Sequence, residues 1–269
     1  ACLAVGFSLV WGVLNVVNLL HGSMVILGVY ACIFGVQKLG WPLYIVAPLA
    51  SSALFLLGYC IQHGLINRVV SRPILITLTL TFGLDLIVNN LILNYFSATP
   101  RSLSLNLGTI ETLGLRIPVS RIIGVAVAAL LTLMLYWLLR HSKMGRAIIA
   151  VRMDKTAAAL MGIRIPQVYA LTFGIGALMA GAAGAAIALI YPVTPMMSGV
   201  FLGKAFVICV LGGLGSVPGA AIGGLVLGLV EGLGTLFFGP QWATSVGFLL
   251  MMTVIVLFPS GLAGKKGFE

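Results

Sequence analysis

The sequence predicts an all-α protein, a bundle of transmembrane helices in a single domain that covers residues 1–269. Hydrophobic residues make up 61% of the chain and charged residues only 7%, whereas ordinary globular domains contain about 25% charged residues. A soluble core cannot bury this much apolar surface, so lipid must be the solvent of most helices. The net charge of +10 does not indicate nucleic-acid binding, because the cations lie in short segments between apolar runs.

About nine apolar runs have the length and composition of membrane helices. They cover 1–17, 22–36, 43–61, 74–93, 122–139, 168–190, 201–214, 218–237 and 243–258. If the basic segment 140–167 is cytoplasmic, alternation places 62–73 and the C-terminus 259–269 on the same side, with ten Lys and Arg in all. The five outside are Lys38, Arg101, Arg116, Arg121 and Lys204. This bias is the one expected for cytoplasmic loops. The longest external segment, 94–121, is expected to form a small cap.

Two apolar stretches, 1–36 and 201–237, are interrupted near their middle. The interrupting residues are Asn15, Asn18, His21 and Gly22 in the first stretch, and Gly212, Gly213, Gly215 and Ser216 in the second. Paired interruptions at opposite ends of a chain are typical of internal repeats whose broken helices line a substrate site. Two helical hairpins with tight turns would give the same pattern, and the sequence leaves both alternatives open.

Polar residues recur every four positions in the span 74–93, at Thr77, Thr81, Asp85 and Asn89. This spacing places them on one helix face. A carboxylate within the membrane costs on the order of 3 kcal/mol, so Asp85 must face water or a partner. We expect this face to line a substrate pathway, the alternative being a polar pair that locks two helices together. Glu231 is the second acid within an apolar run, and the same alternatives apply to it.

A second polar face is predicted in the first stretch, where Ser8, Trp11, Asn15, Asn18 and Gly22 follow spacings of three and four. A continuous helix would hold these residues on one side for two heptads, turned inward. His21 adjoins this face. Because no second titrating group lies near it in the sequence, His21 is expected to be a packing residue and not a proton carrier.

The segment 140–164 carries six of the 15 Lys and Arg and has the start and stop signals of a short helix. Asp154 can cap its N-terminus, Lys155 to Met161 are good helix formers, and Gly162 supplies the C-terminal stop before Pro166. A short, well-terminated helix between two membrane spans predicts a docking element for a cytoplasmic partner.

Motifs for other functions are absent from the sequence. There is no GxxxxGK[ST] loop for ATP, no HExxH or GxSxG motif, and no Cys and His spacing for a metal. The four cysteines lie in or beside apolar runs and are expected to be packing residues. We therefore expect neither an enzyme nor a resident cofactor or metal.

Four motifs in order give the chain a family resemblance. They are Asn18–Met24 (NLLHGSM), Arg68–Pro73 (RVVSRP), Ser142–Ala147 (SKMGRA) continuing through Ala157–Ile163 (AAALMGI), and Val210–Gly219 (VLGGLGSVPG). From about Ala4 to Gly264 the chain resembles the smaller permease subunit of the branched-chain amino acid ABC importers.

The resemblance implies an amino-acid permease of the bacterial inner membrane that works with a second related permease. Two ATP-binding cassette subunits would hold the ATP, and an extracytoplasmic binding protein would deliver the substrate. The central segment would be the ATPase coupling element, with Gly145, Arg146, Asp154, Ala157, Ala158, Ala159 and Gly162 as its residues. Asn67 and Asp85 depart from the residues usual in this family. A urea or amide substrate is one alternative, and an ATP-independent secondary transporter or channel is the other.

Overall fold

The computed structural model describes residues 1–103, 108–112, 115–257 and 261. The predicted cytoplasmic tail 259–269, with Lys265 and Lys266, lies outside the described residues except for Gly261. The helices are α1 Cys2–Leu14, α2 His21–Gln37, α3 Leu43–Gly64, α4 Ile74–Phe96, α5 Val119–His141, α6 Lys143–Met153, α7 Lys155–Leu160, α8 Ile165–Ala188, α9 Ser198–Gly212, α10 Val217–Phe238 and α11 Ala243–Leu257. Short 3-10 helices cover Ile66–Arg68, Pro195–Met197 and Pro240–Trp242, and a hairpin joins β1 Thr109–Thr112 to β2 Leu115–Pro118.

The predicted all-α membrane bundle is confirmed. Within the described part of the chain, seven helical segments are long and apolar enough to cross a membrane. Two shorter apolar helices, α1 and α2, have 13 and 17 residues. All nine predicted apolar runs therefore form helices over most of their length.

The centre of the bundle is α8, which packs against α1, α2 and α3. Small residues make these contacts, since a Cβ added at Gly28 would lie 2.7 Å from the Cα of Gly181, and one at Gly58 would lie 2.6 Å from the Cβ of Ala177. Lipid gives no hydrophobic drive between helices, so close backbone approach supplies the packing energy. The helices α4, α5, α10 and α11 form a largely exposed outer layer.

The two ends of the bundle differ. The β-hairpin stands at one end, where Arg116 Nε lies 2.6 Å from Glu111 Oε1, and it lies within the segment predicted to form a cap. The opposite end, called the α6–α7 end below, carries α6, α7, the start of α8 and the α9–α10 turn. At this end a Cβ added at Gly215 would lie 2.9 Å from the Cα of Gly12 and 3.6 Å from Arg152 Nη2.

Candidate functional site

The first predicted interruption is a segment without α-helix, residues 15–20, between α1 and α2. Helix α1 ends at Leu14 because Asn15 adopts a left-handed conformation with φ 52°. His21 then binds the Leu3 carbonyl through Nε2 at 2.9 Å. Since α1 is about 20 Å long and six residues can reach about 20 Å, the connection 15–20 runs back along α1. The predicted continuous helix face beyond Leu14 is therefore wrong, because the left-handed residue turns the chain around.

The residues of this first interruption have different environments. His21 is fully buried, with its ring edge-on to Phe7 at a centroid distance of 5.5 Å. This position agrees with the packing role expected for it. Asn18 is also buried, whereas Asn15 is exposed at the end of α1. A Cβ added at Gly22 would overlap the carbonyl oxygen of Ser198, so only glycine lets the start of α2 approach the start of α9 this closely.

Four polar side chains meet beside Gly22, namely Ser23 of α2, Asp85 and Asn89 of α4, and Ser198 of α9, and we call them the polar cluster. Ser23 Oγ donates a hydrogen bond to Asp85 Oδ1. Asn89 Nδ2 donates to Asp85 Oδ2 at 3.1 Å and to Ser198 Oγ at 2.9 Å. The cluster thus links the first helical residues of α2 and α9 to the middle of α4.

The rest of the predicted α4 stripe faces the same interior. Thr81 is fully buried and its Oγ1 donates to the carbonyls of Leu78 at 3.0 Å and Val17 at 3.3 Å. Thr77 is also fully buried, and its Oγ1 lies 3.5 Å from the Val69 carbonyl. The stripe therefore meets the connection 15–20 at Val17, and its last two residues, Asp85 and Asn89, belong to the polar cluster.

The second predicted interruption is a tight hairpin. Gly213 and Gly215 have φ values of 92° and 81°, and Ser216 caps α10 by accepting a hydrogen bond from Gly219 N at 3.1 Å. The backbones of Gly212 and Gly219 touch. Because α9 runs about 20 Å from Ser198 to this turn, the structure does not bring Gly212, Gly213, Gly215 and Ser216 to the polar cluster.

Glu231 has a partner that the sequence did not indicate. Lys204 Nζ lies 2.9 Å from Glu231 Oε2, joining α9 to α10. Lys204 therefore lies within a membrane-length helical segment and not in an outer loop, and its place in the external cation count is wrong. The two residues are 27 positions apart, and only the α9–α10 hairpin makes them neighbours.

Helix α6 was missed in the sequence, although its N-cap gives a signal. Ser142 Oγ accepts a hydrogen bond from Gly145 N at 2.8 Å. A Cβ at Gly145 would overlap the backbone of Leu138 and Leu139, so glycine is required where α6 folds over the end of α5. Arg146 Nη1 donates to the His141 carbonyl at 3.0 Å, which satisfies a free carbonyl at the end of α5.

Helix α7 has the predicted boundaries to within one residue. Asp154 Oδ1 accepts hydrogen bonds from Thr156 N at 2.7 Å and Ala157 N at 3.0 Å. Gly162, with φ 82°, forms the C-terminal stop, and Ile163 N donates to the Ala158 carbonyl at 3.1 Å, the pattern of a Schellman motif.

The exposed surface of α7 is apolar at its end. Leu160 and Met161 are 84% and 83% exposed, whereas Ala158 is only 4% exposed. Ala157 and Ala159 are exposed. Of the three predicted alanines, Ala158 thus packs inside this chain, and only its two neighbours are accessible to a partner.

The comparisons with known proteins agree on one family. A family model described as "Branched-chain amino acid transport system / permease component" matches residues 1–257. The chain is 32% identical to the high-affinity branched-chain amino acid transport system permease protein LivH of Escherichia coli K12, with 100% of this chain and 92% of that protein covered.

More relatives show how broad the similarity is. The permease BraD of Pseudomonas aeruginosa, of a high-affinity branched-chain amino acid transport system, is 32% identical with the same coverage. The fructose import permease FrcC of Rhizobium meliloti is 27% identical over 87% of this chain and 66% of its own length. No solved structure matches the chain.

Proposed function

This chain belongs to the branched-chain amino acid transport permease family, and from this we propose that it is a membrane-spanning subunit of an ABC importer. It carries branched-chain or other amino acids across the bacterial cytoplasmic membrane. Two ATP-binding cassette subunits supply the energy, a second related permease completes the pathway, and an extracytoplasmic binding protein delivers the substrate. This chain itself performs no chemical reaction and binds no ATP.

The observation that carries the proposed ATPase contact is the surface of α7. Leu160 and Met161 are almost fully exposed on a capped helix outside the membrane-length segments. Exposed apolar side chains in such a place are typical of a protein contact. The ATPase groove would take these two side chains together with Ala157 and Ala159.

The packing of α6 and α7 suits the transmission of a movement. Ile148, Val151 and Ala158 are buried in the main core cluster together with residues of α1 and α8. A displacement of α7 by the ATPase therefore reaches α1, and through it the connection 15–20 beside α4. Two conformations with different ATPase contacts are all that such coupling requires.

The docking role is tested with Leu160→Asp in the assembled complex. Because Leu160 is exposed, we expect normal expression of the permease, loss of ATPase co-purification and loss of substrate uptake. The control is Thr109→Asp, which adds the same charge on the β-hairpin and should leave ATPase co-purification unchanged. Unchanged ATPase binding and uptake in Leu160→Asp would reject the docking role.

The proposed orientation places the α6–α7 end in the cytoplasm. In a chain whose exposed Cys60 is replaced by alanine, Thr109→Cys should react with an impermeant thiol reagent added outside intact cells. Lys143→Cys should react only after the membrane is opened. The reverse labelling would overturn the orientation and with it the coupling role of α7.

A further inference from the structure

Asp85 is a carboxylate for which the described part of the chain provides no cation. Among the residues that the structure describes, no Lys, Arg or His lies within ion-pair distance of it. Its two hydrogen bonds come from the neutral donors Ser23 and Asn89. The other acid in the membrane-length helices, Glu231, does have its cation in Lys204. An uncompensated carboxylate is costly in a membrane span, so the contrast calls for a counter-ion that the described residues do not supply.

A second acceptor in the polar cluster also lacks a partner. Asn89 Nδ2 donates to both Asp85 and Ser198, and Asn89 Oδ1 is buried without a hydrogen bond from any described residue. A buried acceptor without a donor costs about 1–3 kcal/mol. The cluster thus holds a negative charge and an unused neutral acceptor, and both require donated hydrogens.

We infer that the polar cluster binds the α-ammonium group of the transported amino acid, with Asp85 as its counter-ion and Asn89 Oδ1 as a second acceptor. The inference rests on the proposed transport function and narrows its substrate class to compounds with a free ammonium group. An ammonium group offers three donors and a positive charge, which match the two unmet requirements of the cluster.

The position of the cluster suits a group in transit. The cluster connects α4 to the starts of α2 and α9. Helix α4 packs on α2 and on the 3-10 helix Pro195–Met197, and most of its remaining surface is exposed. Asp85 is half-buried and not sealed in the core. A ligand at Asp85 therefore lies between the core of the bundle and the open side of α4, where a second permease subunit would close the pathway.

The first test is L-leucine uptake by the reconstituted complex of permeases, ATPases and binding protein. Asp85→Asn should lower the maximal uptake rate at least tenfold, with little change in the loaded binding-protein concentration that gives half-maximal rate. Asp85→Glu, which keeps the charge, should restore part of the rate. Asn90→Ala on the same helix, whose side chain bonds only the Leu86 carbonyl, should transport like the unchanged chain.

The second test uses thermal stabilisation of the permease–ATPase complex without the binding protein. L-leucine and 3-methylbutylamine should stabilise the unchanged complex, while 4-methylpentanoate, which has no ammonium group, should not. Asp85→Asn should abolish both shifts without lowering the ligand-free melting temperature, because an Asn89 amide turned by 180° can accept from the new amide and from Ser198 Oγ. A fall in ligand-free stability would instead assign Asp85 a structural role and overturn the inference.

The remaining outcomes separate the inference from the function on which it rests. If the unchanged complex does not take up L-leucine, the proposed function fails. If the unchanged complex takes up L-leucine and the Asp85→Asn complex does so at the same rate, the ammonium site is rejected and the proposed function stands. If the cluster binds an inorganic cation instead, uptake should depend on Na⁺ and should stop when K⁺ replaces Na⁺. Such a dependence, absent in Asp85→Asn, would overturn the substrate assignment.

Discussion

The two interrupted stretches of the chain have similar sequence patterns and different geometries. In 1–36 the interruption is an extended segment that runs back along α1, so α2 begins level with Leu3 and beside polar side chains. In 201–237 the interruption is a four-residue turn, and α9 and α10 lie against each other through Gly212 and Gly219. The first brings backbone and polar groups into the bundle, whereas the second only reverses the chain direction.

The difference follows from which groups form hydrogen bonds with the backbone at each interruption. Ser216 caps the second turn locally, and the two helices approach closely because both carry glycine at the contact. The first interruption instead receives a hydrogen bond from a distant helix, since Thr81 of α4 donates to the Val17 carbonyl, while His21 ties the start of α2 to the Leu3 carbonyl of α1. Irregular backbone at membrane depth is tolerated when other parts of the protein provide such partners.

The largest effect is expected at the α9–α10 contact. Gly212→Leu places a side chain where the backbone of Gly219 lies, so α9 and α10 must separate. Overpacking usually costs about 1–3 kcal/mol, and we expect at least the upper value because the neighbour is backbone. Thermal unfolding in detergent measures the loss. Gly228→Leu is the matched control, since a Cβ there meets nothing within 4 Å, and equal stability of the two variants would contradict this packing.

The ion pair of the hairpin should give the next largest effect. Lys204→Met leaves Glu231 without its cation between α9 and α10, which for a buried pair costs about 3–5 kcal/mol. Because the two side chains are 31% and 21% exposed, we expect a smaller loss, about 2 kcal/mol. The double variant Lys204→Met with Glu231→Gln should recover most of the stability. A double variant no more stable than the single one would show that the charges are not coupled.

A smaller effect is expected where α4 holds the extended connection. Thr81→Val removes the donor to the Val17 carbonyl, and hydrogen bonds between membrane helices are worth about 0.6 kcal/mol on average. The melting temperature should fall slightly, while Thr79→Val on the exposed side of α4, where the hydroxyl bonds only Leu75, should leave it unchanged. A larger loss in the control would place the stabilising contact elsewhere.

The smallest effect is expected for the replacement of Asn15 by glycine. Its left-handed conformation suits glycine as well as asparagine, so Asn15→Gly should change the free energy of unfolding by only a few tenths of a kcal/mol. Asn15→Val should cost about 1–2 kcal/mol, because a side chain branched at Cβ is strained at positive φ. Equal stability of the two variants would show that this residue does not hold the left-handed turn.

The sequence alone determined the features that depend on local composition and pattern. The apolar runs predicted the membrane helices because lipid requires continuous apolar surface. Asp154 and Gly162 predicted α7 because capping acts within one helical turn. The four-residue spacing of Thr77, Thr81, Asp85 and Asn89 predicted one inward face, because residues four apart lie on the same side of a helix. Helix α6 was missed although Ser142 supplied a cap.

The tertiary structure alone decided which distant residues meet. The pairing of Lys204 with Glu231, the burial of Ala158 within α7, and the contact of Asp85 with Ser23 each depend on how separate helices pack. The same holds for the first interruption, because an asparagine can end a helix without fixing where the chain goes next. Val17 in this segment accepts a hydrogen bond from Thr81, 64 residues away, and no local pattern in the sequence specifies that partner.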